Sequence, residues 1–469
     1  EPFRSEVHYM LYEGDHFAFH SRYQELPERK QAQAGYAVSP MAARSRFVTM
    51  PYVGWNQFME GKPHPDVLGW AKIPTQLLRP DELTFDLQVQ PGDNWGEFPT
   101  ADGQRVRFVE PNTNRYKREY AAEAVKRGIR GLKDLGLTQL KPGFYQFLID
   151  VRPDTPAWDA GWFIIDKKGN KHPGWFSAAH GSFLGDMSPE FIDHCVRGIA
   201  GTLDYYQTDF IYIDWPYLPC FADWKGQGRV IQTTDSMQLY RRIHEVCASR
   251  GAALFMNVGS GVLYPDVSIF EGMMSAGGAE SRGFLEGKWR DLYADPLLMM
   301  KLYERPGQAS HVWGWLNIWS DPKRDSTREV TNYGLLFGLR IPAASHSEIG
   351  DQLKAFTAPG GQPQWLANAR SLDMYPRACM ELADSKIVDI GLRPCWWREE
   401  TEIEAYALRK GSAHVLTSLS HYNEPRNVTL AAPRKKLGLA TGKRTFVWRF
   451  DVRSSETIIR QPDPPPPGW

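Results

Sequence analysis

The chain has 469 residues, and its 55 Lys and Arg balance its 55 Asp and Glu, so the formal net charge is zero at pH 7. A chain of this length exceeds one compact core and suits a large domain with a smaller one. The balanced charge excludes the basic excess expected of a nucleic-acid-binding protein. No run of about 18 apolar residues is present, so the sequence predicts no membrane span.

The cysteine and aromatic contents narrow the class further. The five cysteines are scattered and odd in number, which excludes a fully paired disulfide scaffold. Neither they nor the histidines show metal-ligand spacing, and no phosphate loop or Gly-x-Ser-x-Gly motif is present, so we expect no metal and no cofactor. Aromatic residues make up 13% of the chain. Their flat rings suit stacking on sugars, although large cores also use them.

The first 45 residues are predicted to form a β-rich segment. Two short apolar and aromatic runs, Val7–Tyr12 and His16–Phe19, are typical of strands. The chain starts at Glu1 instead of Met, which fits a processed export signal or a shortened chain. We therefore expect a periplasmic or secreted protein, with a cytoplasmic location as the alternative.

Residues 46–386 alternate between apolar, strand-like runs and amphipathic helices. The predicted strands lie at 46–50, 83–89, 141–151, 210–213, 252–256, 267–270 and 310–315, and the clearest helices at 115–135, 188–205, 234–250 and 291–303. Repeated βα units with close to eight strands predict an α/β fold, a closed parallel (β/α)8 TIM barrel. An open parallel sheet is the alternative.

The pattern changes at about residue 387, where apolar residues begin to alternate by two. The segments are Glu402–Leu408, Ala413–Leu419, Val428–Leu430 and Thr445–Trp448. They predict an antiparallel β-sandwich domain over residues 387–469, closed by a Pro-rich tail from Pro462 to Trp469.

Three acids end predicted strands of the barrel: Asp150, Asp214 and Glu271. The clearest is Asp214, because the apolar run Phe210–Ile213 is typical of a strand buried on both faces and Pro216 cannot extend it. The carboxyl end of a barrel strand is where catalytic residues lie. An Asp at this place can also simply cap the following turn.

Carboxylates and tryptophans gathered at one rim suit the cleavage of glycosidic bonds. One carboxylate attacks or stabilises the sugar centre, and the second protonates the leaving oxygen. A carboxyl separation of about 5–5.5 Å would indicate retention and one of about 6.5–9.5 Å inversion. We predict Asp214 as nucleophile and Glu271 as general acid/base, with Glu280 as the rival of Glu271. The substrate would be an oligosaccharide, a polysaccharide or a simple glycoside.

Short motifs resemble the clan D glycoside hydrolases, the α-galactosidase-like families 27, 31 and 36. Gly54-Trp55-Asn56-Gln57-Phe58 is similar to their first-strand motif, which reads Gly-Trp-Asn-Ser-Trp in family 27. The segment 143–166 and Gly185–Glu190 resemble the third strand, Trp-bearing loop and helix start of family 36, and Asp209–Asp214 the strand with the nucleophilic aspartate. The resemblance covers about residues 46–350 and implies a retaining, α-specific hydrolase.

The sequence departs from this family at two places. The family usually has Lys two residues before the nucleophile, where this chain has Tyr212. Its sixth-strand acid is usually Asp in an Arg-containing motif, whereas this chain has Phe270-Glu271-Gly272, with Arg282 further on. Asp214 is thus supported by the resemblance, and Glu271 only by its predicted strand position.

Seven further residues are predicted to shape the sugar subsite: Trp55, Asn56, Asp150, Trp215, Asn257, Arg282 and Trp313. The tryptophans could instead be core residues, and Asn257 could satisfy a turn. A second hypothesis is a non-catalytic glycan-binding protein on a degenerate barrel, which would need no pair of facing carboxylates. A lyase or isomerase of acidic sugars would need a rim cluster of Arg or Lys with His or Tyr, and the sequence shows none.

Overall fold

The computed structural model describes part of the chain. The described residues are 11, 16–49, 84–89, 97–99, 105–107, 130, 140–151, 153, 155–174, 181–213, 221–226, 228–231, 233–257, 267–275, 297–298, 300–305, 307–312, 334, 336–340, 382, 385–388, 403–411 and 413–420. The predicted strands at 428–430 and 445–448 lie outside them, as do all of the predicted strand 7–12 except residue 11 and nearly all of the predicted helix 115–135.

Both strands and helices occur along the described chain. The strands are β1 Ser45–Thr49, β2 Thr84–Val89, β3 Glu97–Pro99, β4 Arg105–Arg107, β5 Leu140–Gln146, β6 Asp150–Val151, β7 Phe183–Leu184, β8 Phe210–Ile213, β9 Phe221–Asp223, β10 Arg229–Ile231, β11 Ala253–Asn257, β12 Gly272–Ser275, β13 Ala309–Val312, β14 Lys386–Val388, β15 Ile403–Lys410 and β16 Ala413–Ser420. The helices are α1 His16–Glu25, α2 Pro27–Ala34, α3 Pro40–Arg44, α4 Pro156–Asp159, α5 Pro189–Tyr206 and α6 Thr233–Ser249, with a 3-10 helix at Val267–Ile269.

A seven-stranded parallel sheet lies at the centre of the described fold. Its strand order is β1-β2-β5-β8-β11-β12-β13, so sequence order and spatial order agree. That agreement is expected when each strand is followed by a crossover to the next, as in α/β proteins. The two edge strands β1 and β13 also contact each other. Arg340 lies beside β13, where its backbone N–H donates to the carbonyl oxygen of Ser310 at 2.9 Å.

The middle of the sheet is closely packed. All four residues of β8 are 0% exposed, which confirms the prediction of a strand buried on both faces. The rings of Phe210 and Phe255 stack with centroids 5.2 Å apart, so they share one face of the sheet. On that face Gly143 is required, because a Cβ there would lie 2.3 Å from ring atoms of Phe210.

The helices α5 and α6 pack on each other, and α6 contacts β11. The start of α5 is set by its sequence: the Ser188 hydroxyl accepts the Phe191 backbone N–H at 3.3 Å, and Pro189 occupies the first turn. The helix ends at Gln207, which adopts a left-handed conformation with φ of 55°. Both helices were predicted from sequence to within a residue or two.

The described part of the N-terminal segment is helical, so the prediction of a strand at His16–Phe19 is wrong. Aromatic residues recur there at helical spacing, and the rings of Phe19 and Tyr23, four residues apart, stack with centroids 6.2 Å apart. Pro27 then opens α2, consistent with its position in a first turn.

The C-terminal described strands form a separate antiparallel sheet of order β14-β15-β16. It packs on the residues that follow the central sheet: the Thr417 hydroxyl donates to the Leu336 carbonyl oxygen at 2.7 Å, and the rings of Phe337 and Tyr406 meet edge to face at 5.2 Å. Among the described residues, no helix combines the length and apolar character needed to cross a membrane.

Candidate active site

The carboxyl ends of the parallel strands define one edge of the central sheet. Gln146 of β5, Ile213 of β8 and Met256 of β11 lie level with one another, and Asn257 extends β11 by one residue. Asp214 follows Ile213 directly in the sequence and lies outside the described residues. In α/β folds this edge is where ligands and catalytic groups gather.

Asn257 lies at this edge, as predicted, and is the last residue of β11. Its side chain is buried, at 2% exposure. By strand alternation it shares the face of Phe255 and Tyr212, because Phe255 pairs with Tyr212 in the register. A buried amide at the carboxyl edge can bond a sugar hydroxyl.

Asp150 lies beyond the end of β5, in the short strand β6, not at the end of a continuous strand. Its carboxylate accepts the Ser182 hydroxyl at 2.6 Å and is 7% exposed as a residue. The backbone of Gly174 lies against the same carboxylate, close enough that a Cβ would be 2.5 Å from its Oδ2. These contacts tie Asp150 to the β6–β7 pair.

The described residues between β5 and α5 form strand pairs of their own. β6 and β7 pair antiparallel, and further bridges join Phe163 to Gly185 and Ile165 to Lys171. The ammonium of Lys171 lies 4.5 Å from the ring centroid of Trp158. We call the described residues of the segment 150–187 the β5–α5 connection.

The β9–β10 hairpin packs on the β5–α5 connection. The backbone N–H of Trp224 donates to the Ile165 carbonyl oxygen at 2.8 Å, and that of Ile165 to the Asp223 carboxylate at 2.9 Å. Lys225 forms an ion pair with the buried Asp186 at 2.5 Å. The segment that begins with Asp214 therefore connects β8 to a hairpin that is fixed against a neighbouring loop.

The structure corrects the position of Glu271. Val267–Ile269 is a 3-10 helix and not a strand, and β12 begins at Gly272, so Glu271 precedes its strand. The Glu271 backbone N–H donates to the carbonyl oxygen of Leu254, near the start of β11, at 2.8 Å. Glu271 thus lies towards the amino end of the sheet, away from the edge that Ile213 and Asn257 share.

The contacts of Glu271 are those of a helix cap. Its Oε2 accepts the backbone N–H of Ser39 at 2.5 Å, and the Ser39 hydroxyl accepts the backbone N–H of Ala42 at 3.2 Å. Ser39 precedes α3, so together the two residues reproduce a capping box with its acid supplied by a distant part of the chain. Burial raises the pKa of Glu271, and the hydrogen bonds from Ser39 oppose that rise.

The other predicted site residues lie outside the described residues: Trp55, Asn56, Trp215, Glu280, Arg282 and Trp313. Among the residues that the structure describes, no group of three or more His, Cys, Asp or Glu side chains could hold a metal ion. The described thiols, Cys195 and Cys247, are buried, and burial raises the pKa of each, which keeps them protonated.

Sequence reasoning missed Lys225, Arg229 and the role of Asp186. The only available signal was the motif Gly185-Asp186-Met187-Ser188-Pro189-Glu190, which predicted the start of α5 but not a partner for the acid. Lys225 lies 39 residues further on, and nothing in its local sequence indicates that contact.

Comparison with known proteins gives matches in structure. No protein-family model matches the chain, and no curated protein matches it by sequence. An α-N-acetylgalactosaminidase from Bifidobacterium bifidum, in complex with GalNAc, matches with a TM-score of 0.53 and 12% identity over 86% of this chain and 63% of that chain. An α-galactosidase from Lactobacillus brevis matches with a TM-score of 0.50 and 13% identity over 89% of this chain and 52% of that one.

A family 36 α-galactosidase from Geobacillus stearothermophilus matches with a TM-score of 0.51 and 10% identity, covering 87% of this chain and 52% of that chain. The chain therefore spans between about half and two thirds of the length of these structures. At such identities the likeness shows the fold: an α/β fold of the kind found in these glycoside hydrolases. The distant resemblance to the α-galactosidase-like families is thereby confirmed.

Proposed function

We propose that the chain is a glycoside hydrolase on a closed (β/α)8 barrel, acting on an α-glycoside with retention. Two observations support closure of the sheet into a barrel. The edge strands β1 and β13 contact each other, and Arg340 forms hydrogen bonds both to β13 and to the residues just before β1. The guanidinium of Arg340 donates to the carbonyl oxygen of Ala42 at 3.1 Å, just before β1, while its backbone N–H bonds β13. These bonds of Arg340 support the proposal that the chain near residue 340 forms the eighth strand.

The observation that carries the proposal is the register at the carboxyl edge. Met256 pairs with Ile213, so the next residue of β11, Asn257, is the counterpart of the residue after Ile213, which is Asp214. Continuation of the period-two alternation of β8 by one residue would give Asp214 the parity of Tyr212 and Phe210, whose face Phe255 shares. We assign Asp214 as nucleophile and Asn257 as a ligand of a sugar hydroxyl.

The general acid/base is assigned to Glu280 in place of Glu271. β12 ends at Ser275, and Glu280 is the first acid after it in the sequence. A raised pKa is what a general acid needs, but Glu271 combines its raised pKa with a position at the opposite edge. Trp55, Asn56, Trp215, Arg282 and Trp313 complete the proposed subsite, and Asp150 supports its wall.

The test is hydrolysis of a panel of 4-nitrophenyl α-glycosides that includes the α-galactoside and the α-N-acetylgalactosaminide, the sugars named for the structural neighbours. Asp214→Asn keeps the shape of the side chain and removes the nucleophile, so we expect kcat/KM to fall by at least about a thousandfold. The matched control is Asp204→Asn, an exposed carboxylate that pairs with Arg250 at 2.6 Å on the helical layer.

Two further measurements decide the remaining assignments. Glu280→Gln should lower kcat by about 10²- to 10⁴-fold, the usual contribution of a general acid. The anomer first released, followed by NMR, should have the configuration of the substrate. Undiminished hydrolysis by Asp214→Asn would refute the nucleophile. A wild-type protein that binds oligosaccharides but cleaves none of the panel would instead support the glycan-binding alternative.

A further inference from the structure

The ammonium group of Lys225, on the β9–β10 hairpin, contacts two places in the chain between β5 and α5. Nζ of Lys225 donates to the carbonyl oxygens of Gly161 at 2.8 Å and Phe163 at 3.3 Å, and to Oδ2 of Asp186 at 2.5 Å. The Asp186 side chain is only 5% exposed. Its other oxygen accepts the backbone N–H of Ser188 at 2.9 Å, so the carboxylate is fixed at the start of α5.

A second cation reinforces this joint. Nη2 of Arg229 donates to the backbone carbonyl oxygens of Asp186 and Met187, both at 2.9 Å. Met187 has a φ of 49°, in the left-handed region that residues with a side chain rarely adopt. The contacts from Arg229 therefore stabilise an unusual backbone turn immediately before α5. We call Lys225, Arg229 and Asp186 the hairpin clamp.

The hairpin clamp fixes both ends of one stretch of chain. Asp186 precedes α5, which leads into β8 and so to Ile213. Lys225 and Arg229 lie on the β9–β10 hairpin, which begins at Phe221. The residues between Ile213 and Phe221 are 214–220, and they start with the proposed nucleophile. The clamp therefore joins two points of the chain, Asp186 and the hairpin, and this segment lies between them in the sequence.

The hairpin is small, so the contacts of the clamp form a large part of what positions it. β9 and β10 pair through only three residue pairs, and an isolated two-stranded hairpin is at best marginally stable in water. One part of it faces solvent, with Trp224 56% and Val230 61% exposed. Its described contacts include the bonds of Trp224 and Asp223 to Ile165, the ring contact of Phe221 with His172 at 4.6 Å, and the clamp.

We propose that Lys225 is a positioning residue: it holds the β9–β10 hairpin against Gly161, Phe163 and Asp186, and that hairpin is where the connection beginning with Asp214 ends. This rests on the proposed function, because the segment matters for catalysis only if Asp214 is the nucleophile. Lys225 itself need not touch substrate. Its loss leaves Asp186 buried without its cation and releases the hairpin from Gly161 and Phe163.

The experiment compares Lys225→Met with Lys225→Arg, which keeps the cation, and with Arg242→Met, which removes an exposed partner of Asp193 on the helical layer. For Lys225→Met we expect kcat to fall by at least about tenfold with KM changed by less than about threefold, since the nucleophile is displaced while other contacts to the sugar remain. Hydrogen exchange of a peptide covering 214–220 should become at least about tenfold faster as the local structure opens more often.

The controls separate positioning from general stability. Lys225→Arg should recover kcat to within about threefold of wild type, and Arg242→Met should leave both kcat and the exchange of 214–220 unchanged within about twofold. A lower Tm for Lys225→Met with wild-type kcat and wild-type exchange of 214–220 would overturn the proposal. If the wild-type protein hydrolyses no glycoside, the proposed function fails, and the exchange data alone then decide whether Lys225 orders the segment.

Discussion

Replacing Glu271 by Ala tests the reassignment of this residue from acid/base to helix cap. The substitution removes the carboxylate that accepts the Ser39 backbone N–H at 2.5 Å, in a site where Glu271 is 1% exposed. An unsatisfied buried donor costs about 1–3 kcal/mol. Loss of the buried methylene group of Glu271 costs about 1 kcal/mol more. We therefore expect Glu271→Ala to lower the free energy of unfolding by about 2–4 kcal/mol.

Glu271→Gln separates the hydrogen bond from the charge. The amide oxygen still accepts from Ser39, and burial already disfavours the charged carboxylate, as the raised pKa of Glu271 shows. The free energy of unfolding should therefore stay within about 1 kcal/mol of wild type at pH 7. A raised pKa in the folded state means that the folded protein binds the proton more tightly. The stabilisation of wild type relative to Glu271→Gln is thus fully present below the ordinary pKa of a glutamate and lost as the pH rises through the folded-state pKa.

The assay is urea unfolding followed by tryptophan fluorescence, with hydrolysis measured on the same samples. Ser39→Ala is the companion variant: it removes the hydroxyl that caps Ala42 but keeps the backbone N–H, and should cost about 1 kcal/mol. A Glu271→Ala protein as stable as wild type would refute the capping role. A stable Glu271→Gln protein that has lost hydrolysis would return the acid/base role to Glu271.

Three further predictions concern the scaffold. Ser188→Ala removes the hydroxyl that accepts the Phe191 backbone N–H, and it should lower the free energy of unfolding, measured in urea, by about 1 kcal/mol. Ser188→Asp keeps a side-chain oxygen for this bond and should retain the wild-type value. Gly143→Ala places a Cβ 2.3 Å from the ring of Phe210, and should destabilise by at least about 2 kcal/mol unless Phe210→Leu in the same chain relieves the overlap. Burial, with a smaller effect of Arg197, lowers the pKa of His194 to about 4. Because the unfolded chain binds this proton more tightly, stability should be full above about pH 6.5 and fall by roughly 3 kcal/mol towards pH 4. His194→Gln should flatten that part of the urea midpoint profile, and an unchanged slope would contradict the assignment.

The elements that sequence predicted well are those whose local signals agree with each other. Phe210–Ile213 is a short apolar run that ends in an acid and a proline, and the structure buries it completely as β8. Helix α5 has a cap, a first-turn Pro and an apolar face, and each signal favours the same start at Pro189. In such segments propensity, periodicity and capping specify one structure, so little depends on distant parts of the chain.

The failures lie where a short apolar run is compatible with two structures. Val267–Phe270 has the composition of a strand, but periodicity cannot distinguish a strand from a helical turn over four residues. The strand begins later, at Gly272, where the absence of a side chain makes room for the ring of Phe255. That reason belongs to the neighbouring strand and cannot be read from the sequence around Glu271. The partner of Asp186 was missed for the same reason, because Lys225 reaches it only through the fold.

Burial and a raised pKa do not by themselves identify a catalytic acid. Both a general acid and a buried cap take a carboxylate out of water, so desolvation raises the pKa in each case. What distinguishes them is position along the strands. Glu271 is level with Leu254, and Asn257 lies three residues further along β11, about 10 Å at the rise of a strand. A substrate at the carboxyl edge would be out of reach of Glu271, whereas the N–H of Ser39 is within hydrogen-bonding distance. The register of the parallel sheet therefore places Glu271 at the amino edge, beside the helix that it caps, and our proposal gives the chemistry to residues that follow β8 and β12 in the sequence.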